Sequence, residues 1–274
     1  MIDTIATRAV DQNEKVLTDL AKKIWENPET AFNEVKACEW TAEVLRNAGF
    51  EVETGYVGMP TAIRAVWGKG HPVIGFLGEY DALPGLSQKV STEKEPVTPG
   101  AAGQGCGHNL LGVACLGAAL GMKAELEATG KEGTVVFYGC PAEEVLTGKA
   151  FMARGGAFTE LDTAFSWHGS TNNHVTLGTM TGLNSAIFHF NGITAHAGGD
   201  PHNGRSALDA VELTSVGANY LREHVTSDVR IHYVIKEGGT APNIVPDKAS
   251  VWYYVRALSR EAVEDTYRRL VKVA

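Results

Sequence analysis

Apolar residues recur at helical spacing twice near the start of the chain. Leu17, Leu20, Ala21 and Ile24 mark one stripe, and Val35, Cys38, Ala42 and Leu45 a second that begins near Asn33 and is stopped by Gly49. Four short runs then read as strands: residues 61–67 (TAIRAVW), 72–77 (PVIGFL), 133–140 (GTVVFYGC) and 162–167 (DTAFSW). Several are apolar throughout, the pattern of strands buried on both faces. Between Pro84 and Gly107 all periodicity stops, with Pro84, Pro96, Pro99 and repeated glycines, and long irregular loops of this kind are usually functional or disordered. The loop runs into a helix whose stripe is Leu111, Ala114, Cys115, Ala118, Met122 and Leu126. Alternating helices and strands predict an α/β domain, a sheet with helices on both faces, over residues 1–181. From about Gly182 the order becomes strand, helix (206–224), strand (229–235), strand (248–257) and a final helix from Ser259. That βαββα order is a ferredoxin-like unit lacking its last strand, and it defines a second domain at 182–274.

Composition narrows the class of protein. Of 274 residues, 44% are apolar and 20% charged, as in an ordinary folded protein. Lys and Arg number 24 against 32 Asp and Glu, a net charge of −8 with no long basic run, so a nucleic-acid or anionic-membrane surface is not expected. The longest nearly apolar stretch, Leu110 to Met122, is 13 residues and reads as a buried helix rather than a membrane span. The N-terminus has early acids and no apolar core of a leader, which places the protein in the cytoplasm by expectation. Cys38, Cys106, Cys115 and Cys140 show neither CxxC spacing nor the density of a disulfide scaffold; Cys38 and Cys115 fall on the apolar stripes.

Chemistry gathers where the predicted strands end, which is where open α/β sheets bind ligands. Glu79 and Asp81 follow the run 72–77, Cys106 and His108 close the long loop between glycines, Glu143 and Glu144 follow Cys140, and His168 follows the run 162–167. Carboxylate pairs, a Cys/His pair and a His are the ligand types of Zn²⁺ or Mn²⁺. Adjacent glutamates cannot easily hold one ion together, so one of Glu143 and Glu144 is expected to bind metal while the other moves a proton. Such a centre would activate a water molecule for attack, with Asp81 steadying a ligand from behind.

Seven segments in order strengthen this reading: ENPETAFNE (26–34), GEYDALPG (78–85), GCGHN (105–109), PAEE (141–144), WHG (167–169), ITAHAGGDPHNGRSALDA (193–210) and APNIVP (241–246). Together they resemble the dinuclear metallopeptidase family that includes aminoacylases and carboxypeptidases, metallopeptidase family 20. The likeness is to its amidohydrolase branch, and GCGHN in place of GCGHD favours the sub-branch that acts on aminobenzoyl-glutamate. The resemblance implies two divalent metal ions held by Cys106, His108, Glu144 and His168, with Glu143 as general base and acid. It implies amide hydrolysis of a small N-acyl amino acid or an aminobenzoyl-glutamate-type substrate. It further implies that the second domain is a lid that dimerises, with itself or a paralogous subunit. His196 would reach the partner's site to polarise the scissile carbonyl, and Asn243 would help bind substrate. Family members continue beyond the lid and supply a last His ligand there, so by this reading the sequence is C-terminally truncated. Two other readings compete: a fragment that only binds or dimerises, and an amidase with Cys106 as nucleophile.

Overall fold

A computed structural model describes residues 3–175 and 178–274, in two compact units, Met1–Asn173 and His174–Ala274. Met1 and Ile2, part of the N-terminal segment read above for a leader, lie outside the described residues.

The first unit holds α1 (Ile5–Gln12), α2 (Glu14–Glu26), α3 (Val35–Asn47), β1 (Glu51–Thr54), β2 (Ile63–Lys69), β3 (Val73–Glu79), α4 (His108–Thr129), β4 (Gly133–Cys140), α5 (Gly148–Arg154) and β5 (Thr163–Phe165). Its sheet runs β1-β2-β4-β3-β5, with β4, β3 and β5 parallel and β1 and β2 antiparallel to their neighbours. Successive residues of β4 point to opposite faces, and both faces are covered. Val135 and Phe137 join Leu20, Ile24, Leu45 and Leu116 in the core under α2, α3 and α4, while Val136, Tyr138 and Cys140 pack with Met152 and Ala157 on the α5 side. Each fully buried side chain of this size contributes about 1.5–3 kcal/mol. That two-sided burial is why the run 133–140 carries no polar alternation.

Three elements escape the periodicity: α1, β1 and α5, each eight residues or fewer. The α4 stripe needs correcting. Ala114 and Ala118 are exposed, and Val113, Leu116 and Leu120 are buried instead. A helix apolar nearly all round has no polar face to reveal which side turns inward. By length and composition α4 would cross a membrane, yet most of it is buried in the first unit. Val35 is likewise exposed, and α3 buries Ala37 and Thr41 beside Cys38, Ala42 and Leu45.

The second unit is β6 (Gly182–Asn191), α6 (Ala207–Leu221), β7 (Arg230–Glu237), β8 (Lys248–Ala257) and α7 (Arg260–Val273). Its antiparallel sheet runs β6-β8-β7, the split arrangement expected of βαββα. Val251, Tyr253 and Val255 bury against Val211, Val263 and Leu270 of the two helices. On the edge strand β7, Ile231 is buried with them, while Tyr233 and Ile235 on the same face stay exposed. Ser206 and Ser259 cap α6 and α7 by accepting from Asp209 N and Ala262 N.

Candidate metal centre

The carboxyl ends of β4, β3 and β5 lie side by side because these strands are neighbours and parallel. Glu79 is the last residue of β3, Glu143 and Glu144 follow β4 at Cys140, and His168 follows β5. The long loop brings the remaining pair. Its two ends are pinched by a bridge in which Leu83 and Gly103 exchange backbone hydrogen bonds, so residues 84–102 bulge away while Cys106 and His108 return to the strand ends. A Cβ at Gly103 would stand 1.9 Å from the Leu86 carbonyl oxygen, and one at Gly112 would stand 2.2 Å from that of Glu79. Only glycine at both lets the loop close and α4 press its first turn against β3. His108 is the first residue of that turn.

Asp81 organises the centre. Wholly buried, it faces His108 Nδ1 with Oδ1 at 3.0 Å and its own carbonyl oxygen at 3.1 Å, and its Oδ2 accepts from Glu144 N at 2.8 Å. One carboxylate therefore sets the ring of His108 and the backbone of Glu144 together, leaving His108 Nε2 to face the site. Cys106 Sγ lies 3.3 Å from His168 Nε2, while His168 Nδ1 contacts the Gly169 carbonyl at 3.0 Å. Glu143 Oε2 lies 3.7 Å from His108 Nε2, and Glu144 Oε1 3.9 Å from His108 Nδ1. The donor atoms of Cys106, His108 and His168 fall within 4.8 Å of one another, and so do those of Glu79, His108 and Glu143.

The electrostatics are those of a site built around a cation. Burial, then the charges of Glu144 and Glu143, push the Cys106 thiol up to about 11. Burial raises the Glu144 carboxyl too. At His108 burial opposes charge, but the Asp81 hydrogen bond and the charges of Glu79 and Asp81 outweigh it and the pKa rises. Among the described residues, Glu79 Oε2, His108 Nε2 and Glu144 Oε1 are buried polar atoms that make no hydrogen bond. Orphaned groups cost about 1–3 kcal/mol each. Glu79 Oε2 and His108 Nε2, 3.1 Å apart and clustered with Glu143, fit a divalent ion that satisfies both, whereas Glu144 Oε1, nearest to His108 Nδ1, belongs to neither of the two clusters.

Two residues here have no role assigned from the sequence, although Glu34 closes the segment ENPETAFNE. Lys149, on α5, pairs with Glu79. Glu34, fully buried before α3, uses Oε1 to accept from Phe32 N at 3.0 Å and Ala142 N at 2.8 Å, and Oε2 to accept from Thr61 Oγ1 at 2.9 Å. It thereby fixes Ala142 at φ 56°, the left-handed turn that presents Glu143 and Glu144. Burial raises the Glu34 carboxyl against these hydrogen bonds, and what its two oxygens do here is accept them. Glu34→Gln should therefore fold as stably as the parent. Glu34→Leu should lose about 2–4 kcal/mol by orphaning two backbone N–H groups, read as a midpoint shift in urea unfolding.

The other two predicted residues lie in the second unit, in adjoining loops. His196 bridges to Ile244, and Ala197 N donates to the Asn243 carbonyl at 3.0 Å, so His196 and Asn243 stand together on the surface. His196 Nδ1 accepts from Gly198 N at 3.2 Å and Gly199 N at 3.0 Å. With Nδ1 held as an acceptor, the neutral ring carries its proton on Nε2 and presents a donor outward.

Residues 179–274 match the M20 peptidase dimerisation domain. Over 97% of its length the chain is 46% identical to a p-aminobenzoyl-glutamate hydrolase subunit of Escherichia coli, covering 56% of that protein. Over 94% it is 33% identical to the Xaa-Arg dipeptidase of Mus musculus, covering 59%. The chain thus spans a little over half the length of these curated relatives. Its fold is similar to that of a Bacillus subtilis protein described as a dinuclear metal binding peptidase from the M20 family, with a TM-score of 0.63 at 20% identity, over 98% of this chain and 69% of that one.

Proposed function

We propose that this chain, whose residues 179–274 match the M20 peptidase dimerisation domain, belongs to that peptidase family and is a metal-dependent amidohydrolase that releases an amino acid from an N-acyl amino acid of the aminobenzoyl-glutamate type. The observation that carries this reading is the pair of orphaned atoms Glu79 Oε2 and His108 Nε2, 3.1 Å apart and clustered with Glu143, beside the Cys106–His168 pair. In this reading Cys106, His108, Glu144 and His168 hold two divalent ions, Zn²⁺ or Mn²⁺. Such ions supply Lewis acidity, activating water and the amide carbonyl near neutral pH. Glu143, left with a more open side chain than Glu144, takes a proton from the attacking water as its oxygen bonds to the carbonyl carbon. It returns that proton to the amine nitrogen as the C–N bond breaks. As the family resemblance implies, His196 of one chain would donate from Nε2–H to the carbonyl oxygen in the partner chain's site, where negative charge develops, and Asn243 would help bind substrate. The dimerisation domain, together with the naming of the E. coli relative as a subunit, favours pairing with a second copy or a paralogous chain.

Hydrolysis of p-aminobenzoyl-glutamate, followed by release of the aromatic amine, should be abolished by EDTA and restored by Zn²⁺ or Mn²⁺. Turnover that survives chelation would instead favour Cys106 as nucleophile. The structure gives that alternative little support, since a thiol pushed up to about 11 is the opposite of an activated one. Metal binding without hydrolysis would favour a binding module.

A further inference from the structure

Glu79 is absent from the ligand set above, yet its carboxylate is aimed at the same nitrogen. It is 5% exposed, one oxygen is paired with Lys149, and the other, Oε2, lies 3.1 Å from His108 Nε2. Neither of those facing atoms makes a hydrogen bond. His108 Nδ1 is committed to Asp81, so Nε2 is the atom His108 has left for a cation. Nitrogen and oxygen donors bonded to one ion at about 2.0–2.2 Å stand about 3–3.5 Å apart, which is the separation seen. The backbone leaves Glu79 little freedom to turn away, because Gly112 of α4 approaches its carbonyl so closely that a Cβ would collide with it.

We infer that Glu79 is itself a metal ligand, giving Oε2 to the ion bound by His108 Nε2, while Lys149 holds Oε1 so that one oxygen faces the metal. The inference rests on the metal-dependent reading above. A carboxylate that served only as the salt-bridge partner of Lys149 would behave differently. For a mere salt bridge, removal of either partner disturbs the site in the same direction. For a ligand, loss of Glu79 removes a bond to the ion, whereas loss of Lys149 removes a positive charge that repels it.

The test is Zn²⁺ affinity of the purified chain by competition with a colorimetric chelator, with thermal melts of the metal-free forms alongside. Glu79→Gln should bind Zn²⁺ at least ~10-fold more weakly than the parent, while Lys149→Met binds it as tightly or more tightly. Unchanged affinity in Glu79→Gln, or weakening in Lys149→Met, overturns the inference. If Glu79→Gln does not fold, Lys149→Met decides alone by the same criterion. A parent chain that binds no Zn²⁺ overturns the metal-dependent reading and this inference with it. A parent that binds well beside an equally competent Glu79→Gln overturns only the inference.

Discussion

Glu143→Gln should keep the metal content of the protein and lose ~10²-fold or more in turnover, whereas Glu144→Gln should lose metal as well as turnover. The two neighbours are separated by what surrounds them. Asp81 Oδ2 accepts from the backbone of Glu144, whose Oε1 is a buried orphan 3.9 Å from His108 Nδ1. Glu143 follows the strained turn at Ala142 and keeps about a third of its side chain open. A base must exchange protons with the reacting groups, and a ligand must be fixed. Glutamine preserves the size and much of the hydrogen bonding of glutamate but accepts no proton, so the substitution removes the step without the shape. Metal analysis on both variants, beside turnover of p-aminobenzoyl-glutamate, checks the division. Loss of metal from Glu143→Gln with retention in Glu144→Gln would reverse the roles.

Much of this centre was legible because strand ends in an α/β sheet are positions that sequence can place. The apolar run 133–140 is β4 to the residue, so Glu143 and Glu144 follow at once, and the glycines around Cys106 mark the turn into α4. What remained hidden depends on long-range contact. Glu34 sits before α3 and acts on Ala142, 108 residues away, and nothing local marks a glutamate as buried. Lys149 lies on α5, which is too short to show a period, and its pairing with Glu79 spans 70 residues. Glu79 was visible at the end of its strand, but a role for it needed the distance to His108 Nε2. The misreading of α4 has a related cause: Ala114 and Ala118 are as apolar as Leu116 and Leu120, and only the fold distinguishes the inward side.

His108→Ala should abolish the centre, because every element of the site converges on that ring. It is wholly buried, set by Asp81 on one nitrogen, and faced on the other by Glu79 and Glu143. Alanine removes a ligand and leaves a crowd of carboxylates with no imidazole among them, so the loss should far exceed the ~10–100-fold that supporting residues of metal sites are worth. Cys115→Ala is the matched control: Cys115 is a buried cysteine on the same helix, part of the apolar core rather than of the cluster. The direct measurement is divalent metal per subunit after dialysis of the parent chain, His108→Ala and Cys115→Ala, each confirmed folded by circular dichroism. The account predicts bound metal in the parent and in Cys115→Ala and almost none in His108→Ala; equal metal in all three, or none in the parent, would contradict it.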